Sequence, residues 1–183
     1  ADRRLRDREV RPVSAPSRSA ARAAALPESA QTYVAGLAAA GSVGLLAGAF
    51  LFQHVGGLAP CEMCIWQRWP HALAVLLGAL LLAPALRGLR AIRALGALAM
   101  LVGAGVALMH TGVERGWWEG PTECSQTMGA GLSTDDLLAA IQNAPMVRCD
   151  EVAWSLAGLS MASWNGILSL VLAGLWLASL RRA

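Results

Sequence analysis

The chain has 183 residues, of which 56% are apolar and only 15% charged, and its mean hydropathy is +0.49. A soluble domain carries about 25% charged residues, so these figures exclude a soluble globule, and with it a collagen-like rod, a wholly disordered chain and a small disulfide scaffold. The net charge of +3 rests on arginine alone, since the sequence contains no lysine; the arginines are not interleaved with aromatics on one face, and nucleic acid is not an expected partner.

Residues 1–32 are rich in Arg, Ala, Ser and Pro and show no sustained apolar face, which predicts a disordered cytoplasmic tail. The run 33–53 is free of charge, and at ~1.5 Å per residue its 21 residues reach ~31 Å, the thickness of a bilayer's hydrocarbon core. It is the first predicted transmembrane helix. Further apolar runs at 65–86, 91–111 and 161–180 predict three more, with Arg93 snorkelling from the start of the third. Within lipid every backbone polar group must be paired inside its own segment or a closed barrel, and none of these runs alternates as barrel strands do. The expected fold is all-α: a polytopic membrane protein with a four-helix transmembrane domain over 33–183.

Charge sets the expected orientation. Twelve of the fifteen arginines (Arg3, Arg4, Arg6, Arg8, Arg11, Arg18, Arg22, Arg87, Arg90, Arg93, Arg181 and Arg182) fall on one side, with four acids. The other side holds Arg68, Arg115 and Arg148 against eight acids. By the positive-inside rule both termini are cytoplasmic and the loops 54–64 and 112–160 are periplasmic. All four cysteines then face the periplasm. Trp66, Trp69, Trp117, Trp118, Trp154 and Trp164 cluster at that boundary as an aromatic belt would. Two stripes of small residues, Ala40–Gly44–Gly48 and Ala99–Gly103–Ala107, are expected to let helix backbones approach. Ser133 and Asp136, followed by Leu137, Leu138 and Ile141, predict a short amphipathic helix in the second loop.

Cys61 and Cys64 form a C-x-x-C where the chain enters the second span. A thiol in the first turn of a helix meets the positive end of the macrodipole, and Arg68 lies one turn beyond Cys64, so Cys64 is the expected low-pKa sulfur. Cys124 and Cys149 lie far apart in the second loop. A Cys₄ zinc site would want two closely spaced pairs, and covalent haem would want His in place of Ile65. Structural disulfides remain an alternative, although a C-x-x-C ring closes too small a loop to stabilise much. Two pairs on two loops otherwise suit a relay: one meets an external thiol, the other passes electrons onward. With no iron–sulfur motif, dinucleotide fingerprint or metal-ligand cluster in the sequence, a membrane quinone (ubiquinone or menaquinone) is the expected acceptor and no metal is expected. Arg68 could bond a quinone oxygen or anchor the helix to headgroups. His54 and His110, at the outer ends of the first and third spans, are further candidates to touch the quinone, and Glu114 to move protons.

The run Phe52-Gln53-His54-Val55, continuing through Pro60-Cys61-x-x-Cys64-Ile65-Trp66-Gln67-Arg68, resembles the DsbB family of bacterial inner-membrane disulfide bond formation proteins. His110-Thr111, Cys149 with Trp154, and Trp164 to Ile167 extend the resemblance over about residues 33–180. It implies a quinone-linked oxidase whose partner is a DsbA-like periplasmic thioredoxin-fold protein. It further implies that Cys124 is the sulfur attacked by the partner, that Cys149 is its disulfide mate, that Cys149 then exchanges with Cys61, and that Cys64 is released as the thiolate that reduces quinone near Arg68. A VKOR-type quinone reductase, a variant with a dedicated partner, and a non-catalytic scaffold are the alternative functions.

Overall fold

The computed structural model describes residues 26–121, 133, 135 and 148–181. Four long helices dominate: α1 (Glu28–His54), α2 (Glu62–Leu80), α3 (Arg90–Glu114) and α4 (Met161–Ala178). α1, α3 and α4 are each long and apolar enough to cross a bilayer. α2 has 19 residues, but Gln67, Arg68 and His71 dilute its apolar run. Each helix packs against its sequence neighbour, and α4 closes the ring onto α1. Large apolar side chains, among them Leu37, Leu51, Leu76, Leu98, Leu101 and Leu170, are exposed around the outside of the bundle. In water that surface would drive association; in lipid it is the solvated face.

Helix boundaries depart from the sequence reading at several ends. α1 starts at Glu28, five residues before the predicted 33, so the end of the expected tail is helical. α2 spans 62–80 rather than 65–86, because the chain turns after Leu80 and Pro84, with no N–H to give, opens a single 3₁₀ turn over Pro84–Leu86. α3 continues to Glu114, three residues into the expected loop. That loop also folds a hairpin of β1 (Ser155–Leu156) and β2 (Leu159–Ser160), with Ser155 opposite Ser160. Residues 1–25, Cys124 and nearly all of the predicted amphipathic helix lie outside the described residues.

The core sits at the end of the bundle away from the cysteines. Ala35 and Ala38 of α1, Ala74 and Leu77 of α2, Ile92, Ala97 and Met100 of α3, and Leu172, Ala173 and Trp176 of α4 meet there. Trp176 is wholly buried over Gly96, where any Cβ would collide with its ring. The second small-residue stripe is a packing seam: Gly103 faces Pro70 and Ser169, and Ala107 faces Gly166. The first stripe is not. A Cβ added at Gly44 or Gly48 would meet nothing within 4 Å, and Ala40 is exposed. Arg93 does not snorkel to the surface either; it is 1% exposed, and its Nη2 donates to Thr32 Oγ1 on α1 at 3.2 Å.

The hairpin is pinned to the head of α4. Trp164 Nε1 donates to Leu156 O at 3.1 Å, and Ser160 Oγ caps the helix by accepting from Ser163 N–H at 3.2 Å. Its two central residues, Ala157 (φ 52°) and Gly158 (φ 77°), both lie in the left-handed region, as a type I′ turn requires. Alanine is strained there by about 1 kcal/mol. Ala157→Asn is therefore expected to raise unfolding stability by up to about 1 kcal/mol, whereas Gly158→Ala should lower it; denaturant titration of the two variants checks the opposite signs.

Candidate active site

Cys61 and Cys64 stand at the head of α2, just ahead of the apolar run that begins at Ile65. Cys61 is the N-cap, its Sγ accepting from Cys64 N–H at 3.3 Å. That capping bond folds the C-x-x-C into one turn and brings the two sulfurs to 2.8 Å, as free thiols. A disulfide needs ~2.05 Å, so closure requires only a small rotation. Cys149 is wholly buried and packs with Cys61, Cys64, Met63 and Val113 in one cluster. The turn that carries it is clamped by a forked pair, Arg148 Nε to Asp150 Oδ1 at 2.9 Å and Arg148 Nη2 to Asp150 Oδ2 at 2.5 Å. Three of the four cysteines thus meet; the fourth, Cys124, lies outside the described residues.

The two sulfurs differ electrostatically. Hydrogen bonding from Cys61 holds Cys64 below the ordinary thiol value of 9.0, against the opposing effect of burial. Sharing with Cys64, then burial, pushes Cys61 far above it. The expectation that Cys64 is the low-pKa sulfur agrees with this asymmetry, but its cause does not: Arg68 is the smallest of the contributions. The guanidinium is turned aside, with Nη1 donating to Gln53 Oε1 at 2.7 Å and Cζ lying over the Phe50 ring, 5.0 Å from its centroid. In the reduced protein, therefore, Cys64 is expected to alkylate with a half-maximal pH below 9.0 while Cys61 stays protected. Mass spectrometry of iodoacetamide-treated protein across pH checks this; equal rates at both sulfurs would contradict it.

Below the cysteines an apolar cavity of about 290 Å³ opens between α1, α2 and α4. Its walls include Leu45, Phe52, Trp154, Trp164 and Leu168, and the bare Gly44 and Gly48 backbone of the misread stripe. Cys61, Cys64, Arg68 and His110 reach it, as do His71 and Asn165. Arg68 Nε and Glu114 Oε2 are buried without a hydrogen-bond partner. His54 is not part of it: the ring is exposed and stacks on Phe50 with centroids 6.1 Å apart.

A polar chain, unforeseen from the sequence, runs from the cysteines into the bundle. His110 Nε2 lies 3.6 Å from Cys61 Sγ and 3.8 Å from Glu114 Oε1. Its Nδ1 is 2.7 Å from Gln67 Nε2, Gln67 Oε1 is 2.6 Å from Asn165 Nδ2, and Asn165 Oδ1 is 2.9 Å from His71 Nε2. His71 Nδ1 ends the chain at Ser42, 3.3 Å away. A lone Asn in an otherwise apolar span is the signal that could have found it, since polar groups at membrane depth face the bundle interior and find partners there.

Cys61, Cys64 and His110 bring their donor atoms within 4.8 Å of one another, which invites comparison with a zinc site. Two thiolates on one zinc, each about 2.3 Å from the metal, stand roughly 3.8 Å apart. Sulfurs at 2.8 Å are placed instead for making and breaking a bond with each other. That chemistry at the surface of an apolar bundle defines the class: a helical membrane protein that forms disulfides, an oxidoreductase. More specifically, the chain belongs to the DsbB family, since the family model described as "Disulfide bond formation protein DsbB" matches residues 31–179. It is similar to several proteins named Disulfide bond formation protein B. That of Aromatoleum aromaticum is 37% identical over 67% of this chain and 75% of its own. Those of Azoarcus sp. BH72 and Methylococcus capsulatus are 34% and 38% identical, over 75% and 66% of this chain and 86% and 76% of theirs. No solved structure matches.

Proposed function

We propose that the protein is a thiol oxidase that draws electrons from a DsbA-like periplasmic dithiol protein and delivers them to a membrane quinone, ubiquinone or menaquinone. The observation that carries this reading is the juxtaposition of sulfur and cavity: Cys61 and Cys64 at 2.8 Å, Cys149 buried against them, and all at the mouth of an apolar chamber. The chamber suits a quinone headgroup. It is walled by aromatic and aliphatic side chains, and Arg68 Nε is a buried donor with no acceptor of its own. A bound quinone supplies a two-electron acceptor dissolved in the lipid.

The chain's own residues do the rest. Attack by Cys149 on Cys61 forms the Cys61–Cys149 bond and breaks Cys61–Cys64, leaving the electron pair on Cys64, the sulfur whose surroundings favour the anion. Cys124 would take the partner's thiolate before that step. Arg68, its Nη1 tied to Gln53, keeps Nε as a donor toward an oxygen in the chamber and would hold the quinone together with Cys64 and His110. The topology accompanying this reading has α2 as the fourth crossing, both termini cytoplasmic and the cysteines periplasmic. Gln67 and His71, which make α2 less apolar, are buried in the bundle rather than turned to lipid.

Cys149→Ser should leave Cys124 able to hold the partner in a mixed disulfide that non-reducing electrophoresis detects. A scaffold with structural disulfides would capture nothing, and that result would overturn the reading.

A further inference from the structure

The direction of the hydrogen bonds from His110 through Gln67 and Asn165 to His71 follows from one carbonyl. Gln67 Nε2 lies 3.3 Å from Met63 O as well as 2.7 Å from His110 Nδ1. A carbonyl oxygen only accepts, so the amide nitrogen of Gln67, not its oxygen, faces that side. His110 Nδ1 is then an acceptor, and the neutral ring carries its proton on Nε2, which faces Cys61 Sγ at 3.6 Å with Glu114 Oε1 at 3.8 Å and the Cys149 backbone as competing acceptors. On the other side Gln67 Oε1 must accept a hydrogen bond, which Asn165 Nδ2 donates at 2.6 Å. Asn165 Oδ1 consequently accepts from His71 Nε2–H at 2.9 Å, with Ser169 Oγ also 3.4 Å from that nitrogen, and the bare His71 Nδ1 faces the Ser42 hydroxyl, which lies 3.6 Å from Met100 Sδ as well. Gln67, His71, His110 and Ser42 are all at least nine-tenths buried, so water does not offer these groups an easy alternative.

We propose that Asn165 and His71 are positioning residues for the cysteine chemistry: through Gln67 they hold His110 as the Nε2–H tautomer, with that N–H aimed at Cys61 Sγ. The proposal deepens the thiol-oxidase reading and rests on it. Its use comes when the interloop bond is resolved. Attack by Cys124 on Cys149 re-forms Cys124–Cys149 and breaks Cys61–Cys149, and the electron pair stays on Cys61 Sγ. A donor facing that sulfur stabilises the departing thiolate; the opposite tautomer would turn a lone pair toward it. Asn165 and His71 touch none of the cysteines and act only by orienting what does.

The chain has three histidines, which makes the tautomer directly readable from ¹⁵N imidazole shifts of the full-length protein in detergent, with His54 and His71 assigned by substitution. The native protein is expected to show His110 protonated on Nε2 and bare on Nδ1. Asn165→Asp keeps the shape but replaces the donor 2.6 Å from Gln67 by an anionic acceptor, which outweighs the longer 3.3 Å contact to Met63 O, so Gln67 should flip and His110 should move toward Nδ1–H. Opening of the oxidised Cys61–Cys64 pair by a small monothiol, read as the rate at which the Cys64 mixed disulfide forms because only attack on Cys64 expels Cys61, should slow about tenfold, the size expected for one hydrogen bond to a charged sulfur. Asn165→Gln, which retains both amide groups, should stay closer to native in both readouts. An Nδ1–H His110 in the native protein, an unmoved tautomer in Asn165→Asp, or a shifted tautomer with an unchanged opening rate would each overturn the proposal. Neither readout involves quinone or a partner protein, so failure of the thiol-oxidase reading would register separately, as absent quinol.

Discussion

Replacing Cys64 with serine is expected to reduce quinone-linked oxidation of the partner dithiol by at least about a thousandfold, or roughly 4 kcal/mol of transition-state stabilisation. The effect is large because Cys64 is the sulfur proposed to carry the electron pair at the cavity. A serine hydroxyl neither ionises near neutral pH nor forms a disulfide with Cys61, 2.8 Å away. Cys61 and Cys149 remain packed together in this variant, so attack of the Cys61 thiol on Cys149 of the proposed Cys124–Cys149 pair, which forms Cys61–Cys149 and releases Cys124 with the electron pair, should let that bond accumulate. Quinol production by the purified variant, measured beside non-reducing peptide mapping, checks both halves. Substantial turnover would mean that electrons leave by another sulfur.

Arg68→Met should lower the rate of quinone reduction about a hundredfold while disulfide exchange among the cysteines continues at close to its native rate. A preorganised donor facing a developing oxyanion contributes about 2.7–4 kcal/mol, and Arg68 Nε is a buried donor at the cavity with no other acceptor. Exchange is spared because Arg68 contributes least to holding Cys64 as thiolate; hydrogen bonding from Cys61 does most of that. The split separates the two roles proposed for this arginine. An anchor to lipid headgroups would leave quinone reduction unchanged, and a principal activator of Cys64 would slow exchange equally.

The cysteine pair, Arg68 and His110 were legible because local spacing or position encodes them: a C-x-x-C at a helix start, an arginine one turn on, a histidine at the end of a span. The Gln67–Asn165–His71 chain was not, because its members lie up to 98 positions apart and meet only when α2, α3 and α4 are assembled. The small-residue stripes illustrate the same limit. Ala99–Gly103–Ala107 and Ala40–Gly44–Gly48 look alike as patterns, yet one seats neighbouring helices and the other lines a cavity, since spacing specifies a smooth face but not what is laid against it. Arg93 was read as a surface anchor from its place near a helix end; its partner, Thr32, belongs to a helix that begins earlier than charge and hydropathy suggested.

On the proposed function, paired sulfurs at the head of α2 hand two electrons to a lipid-phase oxidant. The most direct measurement mixes fully reduced protein with ubiquinone under anaerobic conditions and follows quinol absorbance and free thiols in the same sample. One quinol formed for each pair of thiols lost, with the Cys61–Cys64 disulfide as the first product, is the predicted result. Loss of thiols without quinol, or quinol formed while Cys61 and Cys64 stay reduced, would contradict it.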